Sequence, residues 1–223
     1  MNAEVHRERR EAFLDVAQRL IQTKGYEQMS IQDVLDQLET SKGSLYHYFD
    51  SKQALLDGVV ERFGEAAIAA VHPILADPDL PALRKLERVM REIAEIKAEQ
   101  KDLVLAILEV WNSDGNALVR EKLRELAAAR LGPILTSIIR QGVDEGVIES
   151  TSPEETAMVV LCLLQGYQDL VSKQFLARRS GAITFADVMR THAAFTEAFE
   201  RILDVPRGSV VLTDERTMRF WLG

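Results

Sequence analysis

Cysteine is almost missing from this chain of 223 residues: there is one, Cys162, so no internal disulfide can form. It lies in the apolar run AMVVLCLLQGY and is expected to be a buried small hydrophobe. Proline and glycine are also scarce, at six and twelve, which excludes collagen-like and low-complexity chains. No apolar run reaches the length of a membrane span, and MNAEVHRERR lacks the apolar core of a signal peptide. Cytoplasmic localisation, with no membrane partner, is the expectation. Histidines 6, 47, 72 and 192 are scattered, with no HxxxH pair, and neither GxSxG nor a P-loop occurs. No metal site, catalytic residue or cofactor is therefore expected, and the chain does not read as an enzyme. Excess positive charge is absent too. The formal net charge is −8, and residues 1–52 hold seven Lys and Arg against nine Asp and Glu. Such a chain cannot grip nucleic acid by bulk charge, so any DNA affinity must come from a few placed side chains.

What is present is helical periodicity, with no internal repeat and no sustained β-alternation. The most informative stretch is SIQDVLDQLETSKGSLYHYFDSK, residues 30–52. Ser30 can cap a short helix, with Asp33 completing a capping-box pair. Ile31, Val34, Leu35 and Leu38 fall on its inner face. After the break at Glu39 and Thr40, Ser41 can cap a second short helix whose Leu45 and Phe49 face inward. Two short helices about a tight turn form a helix-turn-helix, which lays its second helix in the major groove. Lys42, Ser44, Tyr46, His47 and Tyr48 crowd the second helix. Lys42 can reach a guanine edge or a phosphate, and the hydroxyls can bond phosphate oxygens. Gly43 lets a backbone come close. Lys52 opens the next helix, where the dipole favours a phosphate. A compact helical hairpin with a wet polar face would show the same pattern without DNA.

The segment SKGSLYHYFDSKQALL resembles the recognition-helix signature of TetR-family transcriptional regulators. The spacing from Phe13 through Gly25-Tyr26 to Ser30 is similar to that family as well. The resemblance covers roughly residues 7 to 60. It implies an all-α fold: an N-terminal three-helix DNA-binding head with a helix-turn-helix, and a larger C-terminal helical ligand-binding and dimerisation body. It also implies DNA contacts at Ser30, Ser41, Lys42, Gly43, Ser44, Tyr46, His47, Tyr48 and Lys52. Two positions depart from the pattern. Glu39 stands where the family usually has Gly, and Leu35 where a small Ala is usual.

Along the chain, residues 1–6 read as a loose arm and Glu8 to Lys24 as the first helix, ended by Gly25. The Arg7, Arg9, Arg10 cluster is either solvated surface or a phosphate contact. Residues 51–71 read as a long helix, weakened at Gly58 and Gly64 and ending near His72-Pro73. It would link head and body. Helices are expected over 83–99, 102–111, 118–145 (kinked at Gly132-Pro133), 154–177 and 185–203, with GSVVLT a short extended piece. The organisation expected is 1–50 head, 51–205 body and 206–223 tail. The tail ends in MRFWLG, which should fold back to cover its apolar side chains.

The helix 154–177 is apolar nearly all round, so it must be buried on more than one side. With 185–203 it forms the natural homodimer interface, a four-helix bundle around a twofold axis. A small-molecule cavity in the body is implied by the resemblance, with Glu109, Trp111, Asn112, Gln165, Tyr167 and Gln168 as candidate lining. The function expected is a dimeric regulator, a repressor released from a palindromic double-stranded DNA operator by a small-molecule effector. The alternative is a helix-turn-helix regulator or DNA-organising factor controlled by a protein partner.

Overall fold

The computed structural model describes residues 2–112 and 117–222. They form ten helices: α1 Asn2–Lys24, α2 Ile31–Gln37, α3 Lys42–Tyr46, α4 Lys52–Ala76, α5 Ala82–Glu99, α6 Lys101–Asn112, α7 Ala117–Asp144, α8 Pro153–Arg179, α9 Phe185–Leu203 and α10 Glu215–Leu222. The fold is all-α among the described residues, with an N-terminal helix-turn-helix and a helical body. The chain divides into two compact units, one of residues 1–66 with 99–123 and one of 67–98 with 124–223. The unit that holds the helix-turn-helix takes in the first part of α4 and α6 as well as α1 to α3.

In the first unit, Phe13, Leu14, Ala17 and Ile21 of α1 are fully buried against Val34 of α2, Leu45 of α3 and Leu55 and Val59 of α4. Leu103, Ala106 and Val110 of α6 close the same core. Helix α1 starts at Asn2 rather than after residue 6. Glu4 in its first turn suits the helix dipole, and His6 rests on side chains beyond α3, so the segment is not a loose arm. Gly58, read from sequence as a weak point, is a packing requirement. A Cβ there would lie 2.8 Å from Leu14 Cδ2 and 3.1 Å from Phe49 Cε1.

The second unit is centred on Val71, Val89, Ile138, Val160, Leu164, Phe199 and Leu203. Helix α4 runs through Pro73 to Ala76 instead of stopping there. The missing N–H costs one backbone bond, while Val71, Ile74 and Leu75 pack into this core. Lys85, only 6% exposed, donates from Nζ to the Leu75 carbonyl at 3.0 Å and so satisfies an acceptor near the end of α4. The Glu145 carboxylate accepts from the Ala82 N–H at 3.0 Å and caps α5. Glu200, also buried, accepts from the Gly208 and Val210 N–H groups at 2.6 and 3.3 Å and pins the start of the tail.

The tail does fold back. Helix α10 sets Met218 and Leu222 against Val188, with Val171, Phe175, Phe185 and Trp221 around them. Residues 208–213 are irregular rather than extended, although Val210 and Leu212 are buried. Beneath the tail the Tyr167 hydroxyl and His192 Nδ1 stand 2.6 Å apart. Burial pushes the Tyr167 hydroxyl up to about 12. Burial lowers His192, opposed by a hydrogen bond with the Thr213 backbone. Cys162 is exposed, contrary to expectation, because its position falls on the outer side of α8 while Leu161 and Leu164 take the core. No helix among the described residues is long and apolar enough to cross a membrane.

Candidate DNA-binding surface

The helix-turn-helix is built from two caps and one strained turn. Ser30 Oγ accepts from the Asp33 N–H at 3.1 Å, and the Asp33 carboxylate accepts from the Ser30 N–H at 2.8 Å, closing the capping box. Lys24 Nζ reaches the same carboxylate at 2.7 Å. Its hydrogen bond, followed by those of Ser30, holds Asp33 down to about 2. Helix α2 ends with the Thr40 N–H on the Leu35 carbonyl at 3.1 Å and the Glu39 N–H on that of Asp36 at 3.4 Å. This is the Schellman arrangement, which needs a left-handed residue between cap and exit. Glu39 occupies that place with φ +47°, so the backbone keeps the geometry that glycine usually serves.

Helix α3 has only five residues. Ser41 caps it, accepting from the Ser44 N–H at 3.3 Å. Leu45 is fully buried and Phe49 nearly so, and these two anchor the segment. The opposite side is open: Ser41, Lys42, Gly43, Tyr46 and His47 are exposed, and Ser44 is half-buried. The Lys42 ammonium lies 5.7 Å from the Tyr46 ring centroid. A Cβ at Gly43 would meet nothing nearer than Ser41 Oγ at 3.9 Å. The fold itself does not require glycine there, so the open approach it leaves faces outward.

Three residues expected at the surface have internal partners. Ser30 is exposed but serves as the cap of α2. Tyr48 is half-buried, its ring 5.6 Å from Phe13 and 4.5 Å from His6. Lys52 donates to the Glu27 carbonyl at 3.1 Å and lies 4.4 Å from the Tyr26 ring. Its charge remains at the first residue of α4 but is held by the loop before α2.

Residues of α1 complete the surface: two from the arginine cluster, and His6, which the sequence did not single out as a contact. Arg9 donates to Thr40 Oγ1 at 2.7 Å, tying α1 to the turn before α3. Arg10 lies over Phe49 at 5.4 Å and near Glu61 at 3.8 Å, so two members of the arginine cluster have structural partners. His6 sits 5.4 Å from the His47 ring, edge-on. The available signal was the spacing of His6 and Arg9, three apart on one helical face, once α1 is known to begin before residue 6.

The six residues expected to line a ligand cavity fall three in each unit. Glu109, Trp111 and Asn112 belong to the first unit, and Gln165, Tyr167 and Gln168 to the second. Asn112 donates to the Leu108 carbonyl, Gln165 to the Arg124 carbonyl, and Tyr167 pairs with His192. Gln168 is exposed. Among the described residues no cluster of three or more His, Cys, Asp or Glu could hold a metal ion.

Comparison with known proteins agrees with this geometry. Residues 13–59 match the model described as bacterial regulatory proteins, tetR family. Residues 104–179 match that of the tetracyclin repressor-like C-terminal domain. An HTH-type transcriptional regulator of the lacX 3' region in Lactococcus lactis is 42% identical over 55 residues, covering 25% of this chain and 28% of its own length. The HTH-type transcriptional repressor DhaR of Mycobacterium sp. strain GP1 is 27% identical over 144 residues, 64% of this chain and 72% of its own. A transcriptional regulator from Cytophaga hutchinsonii shares the fold, with a TM-score of 0.59 at 16% identity over 87% of this chain and 96% of that one. These matches place the chain among DNA-binding transcriptional regulators rather than enzymes. With its helix-turn-helix and its C-terminal region each matched by a model of the same family, the chain belongs to the TetR family of bacterial regulatory proteins.

Proposed function

We propose that this protein is a homodimeric repressor that reads a palindromic operator through α3 and is released from it by a small-molecule effector. The observation that carries the reading is the two-sided character of α3: Leu45 locked in the core, and Lys42, Gly43, Tyr46 and His47 presented together outward. Lys42, Tyr46 and His47 contact bases and phosphates, Ser41 and Ser44 supply phosphate contacts, and Gly43 admits the sugar-phosphate backbone. Ser30, Tyr48 and Lys52 support the surface from their internal positions and add phosphate contacts at its edge.

The dimer forms through α8 and α9. Val159, Cys162 and Gly166 recur along the outer side of α8 and are exposed, as are Ala193 and Ala194 on α9. A groove between these helices is lined by Lys173, Gln174, Asp187, Arg190 and Thr191. An exposed stripe of apolar and small residues beside a polar groove suits close helix packing against a twofold mate. Two recognition helices then address half-sites one helical turn apart. Effector binding in the body favours a subunit arrangement that no longer matches that spacing, so effector and DNA oppose one another. Repression rests on likeness to relatives named as repressors, and effector control on the match to the tetracyclin repressor-like C-terminal domain. The internal hydrogen bonds already made by Asn112, Gln165 and Tyr167 favour, as a second reading, control by a protein partner.

The test is fluorescence anisotropy with the duplex upstream of the protein's own gene and a scrambled duplex, at two salt concentrations. Selective binding that Lys42→Ala abolishes, with helicity retained, establishes DNA reading by α3. Equal binding to both duplexes by wild type and variant rejects it for that site. Release of the selected duplex by a small molecule then separates effector control from control by a protein.

A further inference from the structure

The first two turns of α1 bracket α3. Arg9 bonds to Thr40 at 2.7 Å, just before the recognition helix. His6, three residues earlier on the same face of α1, places its ring 4.5 Å from Tyr48 and 5.4 Å from His47, just after it. The His47 and Tyr48 rings stand perpendicular at 5.1 Å. Tyr48 in turn leans on Phe13, and Phe13 on Phe49 at 6.4 Å. A continuous path of rings therefore joins the N-terminal end of α1 to the buried end of the helix-turn-helix.

This matters because α3 holds itself weakly. It has five residues, too few for backbone hydrogen bonds to fix it alone. Its capping bond is 3.3 Å long. Leu45 and Phe49 fix which side faces in but leave rotation about that anchor to be set by contacts at the two ends. Arg9 supplies one and His6 the other. Both come from α1, whose Phe13, Leu14 and Ala17 are fully buried and which is therefore a rigid reference.

We propose that His6 and the Arg9–Thr40 bond form a clasp that sets the pose of the recognition helix, making the N-terminal end of α1 a specificity-determining element that acts through α3. His6 is a positioning residue here, not a phosphate contact. The clasp rests on the reading of α3 as the DNA-reading helix. A ring pair of this kind governs a change in affinity of about three- to tenfold.

The experiment uses the full chain and duplexes enriched by the wild-type protein from a random-sequence library, with a scrambled duplex as control. His6→Ala and Thr40→Val should each weaken the enriched duplex about three- to tenfold, leaving scrambled-duplex binding and the salt slope in place. His6→Phe, which keeps a ring and removes the imidazole nitrogens, should bind as wild type. An equal loss on both duplexes with a lower salt slope, unrescued by Phe, would mean a direct phosphate contact and overturn the proposal; so would an unchanged His6→Ala. Amide hydrogen exchange of Leu45, Tyr48 and Phe49 in the free protein is the second readout. It should quicken in His6→Ala and recover in His6→Phe. If the wild type enriches no sequence, DNA reading by α3 fails. Exchange unaltered by His6→Ala then sinks the clasp as well, and altered exchange upholds it as a device holding α3.

Discussion

Glu39 shows how one residue can carry a backbone rule against its own preference. The exit from α2 demands a left-handed residue, and a side chain there costs about 1 kcal/mol. Glu39→Gly should therefore stabilise the protein by up to about 0.5 kcal/mol, because the extra chain entropy of glycine offsets much of the relieved strain. Urea unfolding at unchanged m-value would read this as a higher midpoint; a lower midpoint would mean that the glutamate side chain contributes contacts of its own. Gly58 is the opposite case. Alanine would gain about 1 kcal/mol in helix propensity. Its Cβ, however, would press on Leu14 and Phe49, both buried in the core, at about 1–3 kcal/mol. Gly58→Ala should be less stable than wild type in the same assay, and a more stable variant would show that Leu14 can rotate away.

At the scale of the element, α10 is held to α8 and α9 by an apolar cluster and by the hydrogen-bonded group of Tyr167, His192 and Thr213. Burial favours neutral His192, so its folded pKa lies below the ordinary value of about 6.5. The sign follows: the unfolded or undocked state binds the proton more readily. Stability is in place above about pH 6.5 and is lost as pH falls through the folded value. Trp221 reports the docking. In a Trp111→Phe background, its emission should shift to the red on acidification below about pH 6, and His192→Gln should remove that transition. A shift that persists in the variant would assign it to another group. The elements themselves were largely legible, since caps at Ser30 and Ser41 and the 3.6-residue pattern mark α2, α3 and α5 to α9 closely. What was not legible depended on packing. Pro73 reads as a stop, but the packing of Val71, Ile74 and Leu75 into the core carries the helix past it. Residues 1–6 look like an arm until Tyr48 offers His6 a partner. Cys162 sits in an apolar run whose outward side no periodicity could mark, because the whole stretch is apolar. Partners of the polar groups in apolar helices were equally hidden from the pattern: Asn112, Gln165 and Tyr167 engage the Leu108 carbonyl, the Arg124 carbonyl and His192.

For the whole molecule, the deciding contrast lies along α8. Leu161 and Leu164 are buried in the protomer's own core, so a charge at either should unfold the second unit rather than merely dissociate a dimer. Val159 is 51% exposed on the outer side of the same helix. Val159→Glu should leave helicity and thermal unfolding of the protomer nearly intact while producing monomers in analytical ultracentrifugation. The same variant tests how a chain with a net charge of −8 holds DNA. With about two to four phosphates neutralised per subunit, the dimer's log–log salt slope should be roughly −4 to −7, and that of the monomer half as steep. Losing the second half-site should also remove most of the sequence-selective affinity. If Val159→Glu remains dimeric and binds as wild type, the interface lies elsewhere and the exposed stripe on α8 needs another occupant. If it is monomeric yet keeps the full slope, the phosphate contacts belong to one subunit, and a twofold operator is the wrong picture.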